Sequence, residues 1–251
     1  MRPKFLRGFW KLTWLEAKIF TREPMGFVGT LIVPVLLFIF LGRVIGFNKP
    51  MGPPSVDIPF NVAVLAAVLI AINAVQSLVA IISIYREGGI LKRLRSTPLS
   101  PVTIMGAQVA VKLVFTVVSL ALLILAGKRI FPGVMRVNVF SFTLALVLGT
   151  FSILSVGFVI ASLVPTARFA QPISAAVVYP MLALSGLFYP VSRFPSALRT
   201  LAYVFPTTHA VALLNGVWDG SGWSAHSMNV ATLLLLFVAY TALATRVFRW
   251  E

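Results

Sequence analysis

The residues best equipped for chemistry crowd one short stretch, YREGGILKRLRSTPLSP, from Tyr85 to Pro101. Arg86, Lys92, Arg93 and Arg95 supply four cations, with Glu87 as the lone acid among them. Such a set forms ion pairs and charge-assisted hydrogen bonds, which is docking chemistry rather than bond breaking. Ile90, Leu91 and Leu94 oppose the cations on a short amphipathic helix. Gly88-Gly89 can turn the chain ahead of it. Pro98 stops it, because the residue before a proline is pushed out of helical conformation. Ser100-Pro101 reads as the N-cap and first-turn proline of a following helix.

Catalytic chemistry is hard to assemble from the rest. The acids are Glu16, Glu23, Asp57, Glu87, Asp219 and Glu251, and none falls in the middle of an apolar run. His209 and His226 lack metal-ligand spacing and read as surface residues, so no metal site is expected. Neither stands near a GxSxG elbow. Cysteine is absent, which removes thiol nucleophiles and disulfides. Gly127-Lys128 lacks the remaining residues of a phosphate-binding loop. The chain is expected to be no enzyme and to carry no cofactor of its own.

The elements that position these residues are membrane helices. The chain has 251 residues, 59% hydrophobic and 11% charged, with a mean hydropathy of +0.98. A soluble domain carries about 25% charged residues. The net charge of +15 follows from cations flanking apolar spans. Nucleic acid is not expected as a partner, since no soluble basic face is left over.

Residues 1–23 form an amphipathic interfacial helix. Lys4, Arg7, Lys11, Lys18 and Arg22 make one stripe, facing anionic lipid headgroups, and Phe5, Leu6, Phe9, Leu12, Ile19 and Phe20 the other. Trp10 and Trp14 suit that depth. The late, long apolar core and missing cleavage site do not fit a signal peptide. Apolar runs then predict six spans: Met25 to Ile45, Phe60 to Ile84, Met105 to Ala126, Val137 to Val164, Pro172 to Leu187 and Met228 to Val247. Pro24 opens the first and Pro34 bends it. Asn48 to Pro59 is a loop. In the fourth span, Gly149, Ser152, Ser155 and Gly157 permit close packing. Residues 191–227 read as two short helices dipping into the opposite leaflet, allowed only where protein or water satisfies their backbone. The fold class is an all-α integral membrane protein, a single domain over 1–251 with both termini on the cytoplasmic side.

Three polar features interrupt the apolar pattern. Glu16 projects from the apolar side of the first helix, either as a solvated carboxylate or paired with a cation of residues 85–101. Asn73, Gln76, Ser77 and Ser83 share one face of the second span and must meet protein or water; helix-to-helix hydrogen bonds and a substrate path both fit. Lys112 lies in the third span near its end, where a lysine can snorkel.

Arg86-Glu87-x-Gly89 followed by Leu94-x-x-Thr97-Pro98 resembles the E-R-E-x-G-T-L-x-x-L-x-x-T-P stretch of type-2 permease subunits of ABC exporters, of the daunorubicin-resistance kind. Ser185-Gly186-Leu187-Phe188-Tyr189-Pro190, then Pro195 and Pro206-Thr207, is similar to that family's S-G-x-x-x-P…P…P-T pattern. Tyr85 replaces the family's first acid, and Ile90 the threonine after the glycine. The resemblance implies a dimer of two permease subunits, taken as two copies of this chain, above two ATPase subunits that hold ATP and magnesium. Residues 85–101 would be the cytoplasmic coupling turn seated in the ATPase, through Arg86, Glu87, Ile90, Leu91, Leu94 and Arg95, with the N-terminal helix and Glu16 beside it. The second and fifth spans would line the path, making Asn73, Gln76 and Ser77 path residues. Phe188 and Tyr189 would stand at an outer gate, or else in an interfacial aromatic belt. The implied function is export of a drug, lipid or glycan from the cytoplasm across the plasma or inner membrane by alternating access. An ATP-independent channel or secondary carrier would need ion-coupling carboxylates inside the spans, and a lipid enzyme a cluster of acids or histidines at one depth; the sequence offers neither.

Overall fold

The computed structural model describes residues 2–44, 61–91, 101–131, 137–164 and 166–247. Every regular element among them is helical. The expected loop at residues 48–59 lies outside the described residues, as do Lys92, Arg93, Leu94, Arg95 and the remainder of the basic stretch up to Ser100.

The N-terminal helix α1 (Arg2–Arg22) packs lengthwise on α5 (Pro101–Ile130). Its inward line follows helical spacing. Leu12 meets Ile104 and Ala107, and Phe20 sits with Leu31, Val111 and Phe115. Trp10 and Trp14 point outward, which suits rings at a lipid interface.

Among the described residues four helices are long and apolar enough to cross a membrane: α4 (Val62–Glu87), the Gly106–Ile130 part of α5, α6 (Val139–Leu163) and α11 (Ser227–Val247). The other two expected spans differ from simple helices. The first starts at Pro24 as expected, but it divides into α2 (Pro24–Phe27), a wider π turn over Val28–Ile32, and α3 (Val33–Val44). Pro34 explains the break. Having no N–H, it can serve neither the Thr30 carbonyl four residues back nor the Gly29 carbonyl five back. Neighbouring helices supply donors instead. Asn73 Nδ2 of α4 donates to Gly29 O at 3.3 Å, and Ser119 Oγ of α5 donates to Thr30 O at 3.0 Å. The fifth expected span is α7 (Ala167–Ala183), only 17 residues long. It begins five residues before Pro172, so that proline lies inside the helix rather than opening it.

The central helix is α4. Asn61 caps it, with Oδ1 accepting from the amides of Ala63 and Val64 at 3.0 and 3.2 Å. The helix is buried on almost every side from Val62 to Val79, packed among α3, α5, α6 and α7. The small residues of α6 make this closeness possible. A Cβ added to Gly157 would lie 3.1 Å from Val75, and one added to Gly149 would lie 2.9 Å from the Ala210 methyl of α9 (Pro206–Trp218). Ser152 donates to Leu233 O of α11 at 2.9 Å. Gly149→Val is expected to wedge α6 from α9 and destabilise the fold by about 1–3 kcal/mol, the usual cost of overpacking. Unfolding in mixed dodecyl sulfate micelles would show it as an earlier midpoint.

The residues Ser185 to Pro190 make a tight turn that ends α7. Ser185 Oγ donates to Leu182 O at 2.6 Å. Gly186 has φ +86°, where a side chain would also strike Val191. Ser185 N bonds Leu182 O, and Thr207 Oγ1 donates to the neighbouring Met181 O at 2.9 Å. The Pro-Thr start of α9 is thereby fastened to the end of α7. Between them, α8 (Ser196–Val204) has nine residues and leaves Leu198, Leu201, Tyr203 and Val204 exposed. A short α10 (Gly222–Ala225) leads into α11.

Candidate functional site

At the bundle end carrying α1, the last residues of α4 reach two different helix termini. The Arg86 guanidinium donates to Val164 O at 2.7 Å and Ala161 O at 2.8 Å, carbonyls that close α6. Glu87 Oε2 accepts from the Ala167 amide, the first N–H of α7, at 2.8 Å. Each charge complements the helix end it meets. A C-terminus presents unpaired carbonyls and partial negative charge, an N-terminus free N–H groups and partial positive charge. Two adjacent residues thus pin both sides of the turn between α6 and α7. Just beyond them Gly89 has φ +66°, a left-handed conformation in which glycine is unstrained. Ile90 is 37% exposed, whereas Leu91 is only 1% exposed. Of that pair, Ile90 is open to a partner and Leu91 packs into the chain.

Glu16 lies beside the same α4 end. It is 5% exposed, so it is not a solvated carboxylate. Among the described residues the Tyr85 hydroxyl meets its two oxygens at 2.9 and 2.8 Å; Lys92, Arg93 and Arg95, the expected cationic partners, lie outside the described residues. The position where the resemblance expects an acid is therefore taken by a phenol that donates to an acid from α1. Lys112 does not snorkel. It is 5% exposed, donates from Nζ to Ser77 Oγ at 2.6 Å and sits 4.6 Å from the centre of the Phe20 ring, a cation–π contact. Burial pushes the Glu16 carboxyl above its ordinary value of 4.5, against the opposing pull of the Tyr85 hydroxyl, the Gln108 amide and the Lys112 charge. A carboxyl raised by docking favours the docked state while it holds its proton. This contribution is full below pH 4.5 and is lost as pH rises through the raised value. The thermal midpoint of the protein in nanodiscs is therefore expected to fall along a pH series from acid to neutral, and Glu16→Gln to flatten that dependence.

Glu16, Phe20, Ser77 and Lys112 border one cavity of about 280 Å³ between α1, the first span, α4, α5 and α7. Asn73, Gln76 and Ser77 line it together with Glu16, so four residues singled out separately in the sequence share one site. Ser83 does not join them; it bonds back to Val79 O at 2.8 Å. Gln108, Lys112 and Gln171 complete the polar lining. Gln108 stands one turn before Lys112 on α5, and that i, i+4 polar pair inside an apolar run was the available signal for it. Gln171 gave no such signal, since it precedes the expected start of its span.

Phe188 and Tyr189 lie at the opposite end, in the turn after α7. Both are partly exposed, and the Tyr189 ring lies 5.4 Å from Phe194. His209, expected on the surface, is 7% exposed. Its ring bonds Asn229 Oδ1 at 3.1 Å and Tyr203 O at 3.0 Å. Asn229 Nδ2 reaches His226 Nδ1 at 3.2 Å, so one amide bridges two histidines that the sequence keeps well apart. Among the described residues no group of three or more metal-ligating side chains forms.

Long apolar helices around an open cavity that carries polar side chains define the class, an α-helical membrane protein. Residues 7–217 match the model of the ABC-2 type transporter family. The chain belongs to that family and is the membrane component of an ABC transporter, a type of assembly in which an ATPase subunit accompanies the membrane subunit. Comparison with curated proteins finds no match.

Proposed function

We propose that the chain is the membrane-spanning subunit of an ATP-driven exporter, one that carries no nucleotide site and takes its energy from a separate ATPase subunit holding ATP and magnesium. The observation that carries this reading is the Arg86–Glu87 clamp. It stands where α4 gives way to the basic stretch and holds the ends of both α6 and α7. A push on residues 85–101 by a closing ATPase would pass directly into α7. Exposed Ile90 would supply an apolar contact for that subunit, with Leu94 and Arg95 following it in sequence.

Counting the first span and α7 with the four long helices gives six crossings. The ten cations of residues 1–23 and 86–95 outnumber the seven at the other end, Arg43, Lys49, Lys128, Arg129, Arg136, Arg193 and Arg199, which puts both termini in the cytoplasm of a plasma or inner membrane. On this arrangement α8 and α9 form an outer re-entrant pair, and Phe188 and Tyr189 stand at the outer gate. Two copies would face each other across the exposed side of α7, where Phe169 and Tyr179 stand open, with Asn73, Gln76 and Ser77 of the enclosed α4 on the path. Alternating access then moves a hydrophobic or amphipathic substrate outward.

Purification of the tagged chain from its native membrane tests the reading. A copurifying ATPase subunit, with transport in proteoliposomes only when ATP is supplied, is expected. Transport by the isolated chain without ATP would overturn it in favour of a channel or secondary carrier.

A further inference from the structure

The polar cavity has a specific imbalance. Its two buried charges, Glu16 and Lys112, offset each other, so it does not call for a charged occupant. Its hydrogen-bonding capacity is unfilled. Gln108 is 3% exposed; its amide lies close enough to Glu16 to draw that carboxyl down, but its Nε2 meets no acceptor in hydrogen-bonding geometry. A buried amide left without an acceptor costs about 1–3 kcal/mol, so such a group asks for a partner. Lys112 has three donors, one of which goes to Ser77. Towards the mouth stand Gln76 and Gln171, amides that both donate and accept. Ile19, Ile81, Ile84 and Val111 supply apolar wall beside them.

From this geometry we infer that the cavity is a binding site for an uncharged, hydroxyl-rich headgroup on an apolar stem, a glycosyl group in chemical class. Hydroxyl oxygens accept from Gln108 and Lys112 in the interior, while hydroxyl hydrogens donate to the carbonyl oxygens of Gln76 and Gln171. A phosphate would meet the same donors but would bring a third charge beside Glu16, with Glu23 also on the lining. Naming this occupant rests on the proposal that the cavity lies on the transport path, but the site exists as geometry whether or not ATP drives anything.

The test is equilibrium binding, without ATP or ATPase subunit, on the chain in phosphatidylcholine nanodiscs prepared without glycoside detergent. The probes are monoglucosyl diacylglycerol, methyl glucoside, diacylglycerol and phosphatidylglycerol, read by native mass spectrometry and by the shift in unfolding temperature. Monoglucosyl diacylglycerol is expected to bind and stabilise, diacylglycerol and phosphatidylglycerol to do neither. Gln108→Leu, near-isosteric, and Gln76→Leu are each expected to weaken binding by about tenfold, the loss of roughly one hydrogen bond. Binding of methyl glucoside as well would assign the site to soluble glycosides, and its absence would assign it to membrane glycolipids; both support the inference. Equal binding of phosphatidylglycerol, or glucosyl-lipid binding that both variants leave unchanged, would overturn it. Neither result bears on ATP dependence, so the exporter reading stands or falls separately.

Discussion

Replacing Arg86 with alanine is expected to cut ATP-driven transport by about tenfold or more, while the chain stays in the membrane and its ATPase subunit stays bound. The guanidinium makes two short bonds to carbonyls at the end of α6. Hydrogen bonds from a charged donor are worth about 1.5–3 kcal/mol each, and a loss of about 1.4 kcal/mol in a rate-limiting step is tenfold. Those carbonyls belong to a helix end, where the alanine variant offers no substitute donor. Of the clamp's described hydrogen bonds to the α6–α7 turn, that of Glu87 would then remain, and movement of the basic stretch would reach α7 weakly. Arg86→Lys should recover part of the effect, because an ammonium can serve one carbonyl well but lacks the fork that spans two. Glu87→Ala is expected to uncouple transport from ATP hydrolysis in the same way, by freeing the start of α7. The readout is transport per ATP hydrolysed in proteoliposomes of the assembled complex. Normal coupling in all three variants would remove the clamp from the mechanism.

The largest loss of stability is expected at Lys112. Lys112→Met leaves Glu16 buried with the Tyr85 hydroxyl and without its compensating cation. Removing one member of a buried charge pair costs about 3–5 kcal/mol. Glu16 can escape part of this by taking up a proton, so the lower end, about 3 kcal/mol, is expected. The double variant with Glu16→Gln should restore most of the loss, since the amide keeps an acceptor for Tyr85 and brings no charge. Dodecyl sulfate unfolding of the two single variants and the double variant gives the coupling directly. Purely additive losses would show that the two charges do not sense each other.

Much of this architecture is legible in the sequence. A run of apolar residues longer than a bilayer needs has few alternatives to a membrane helix, and α4, α5, α6 and α11 follow from that. Proline and glycine mark real discontinuities at Pro24, Pro34 and Gly89, because their backbone constraints act locally. What periodicity cannot supply is the neighbour. It placed Glu16 on an inward face and Asn73, Gln76 and Ser77 on one side of α4, but the groups that answer them lie tens of residues away. Tyr85 departs from the family motif, and only the fold shows its hydroxyl on Glu16. Lys112 was expected to reach for the interface, and a hydroxyl and an aromatic face held it inside. The π turn ahead of Pro34 depends on Asn73 and Ser119 arriving from two other helices. His209 was expected at the surface because nothing nearby in sequence shows the Asn229 amide that meets it.

The central claim is that the bend after α4 faces the cytoplasm and is held there by the ATPase subunit. The absence of native cysteine allows it to be tested with one substitution, Ile90→Cys, and a membrane-impermeant maleimide. Labelling is expected in inside-out vesicles and not in right-side-out ones, with protection when the ATPase subunit is bound. Labelling from the outer face, or equal labelling with and without that subunit, would contradict it.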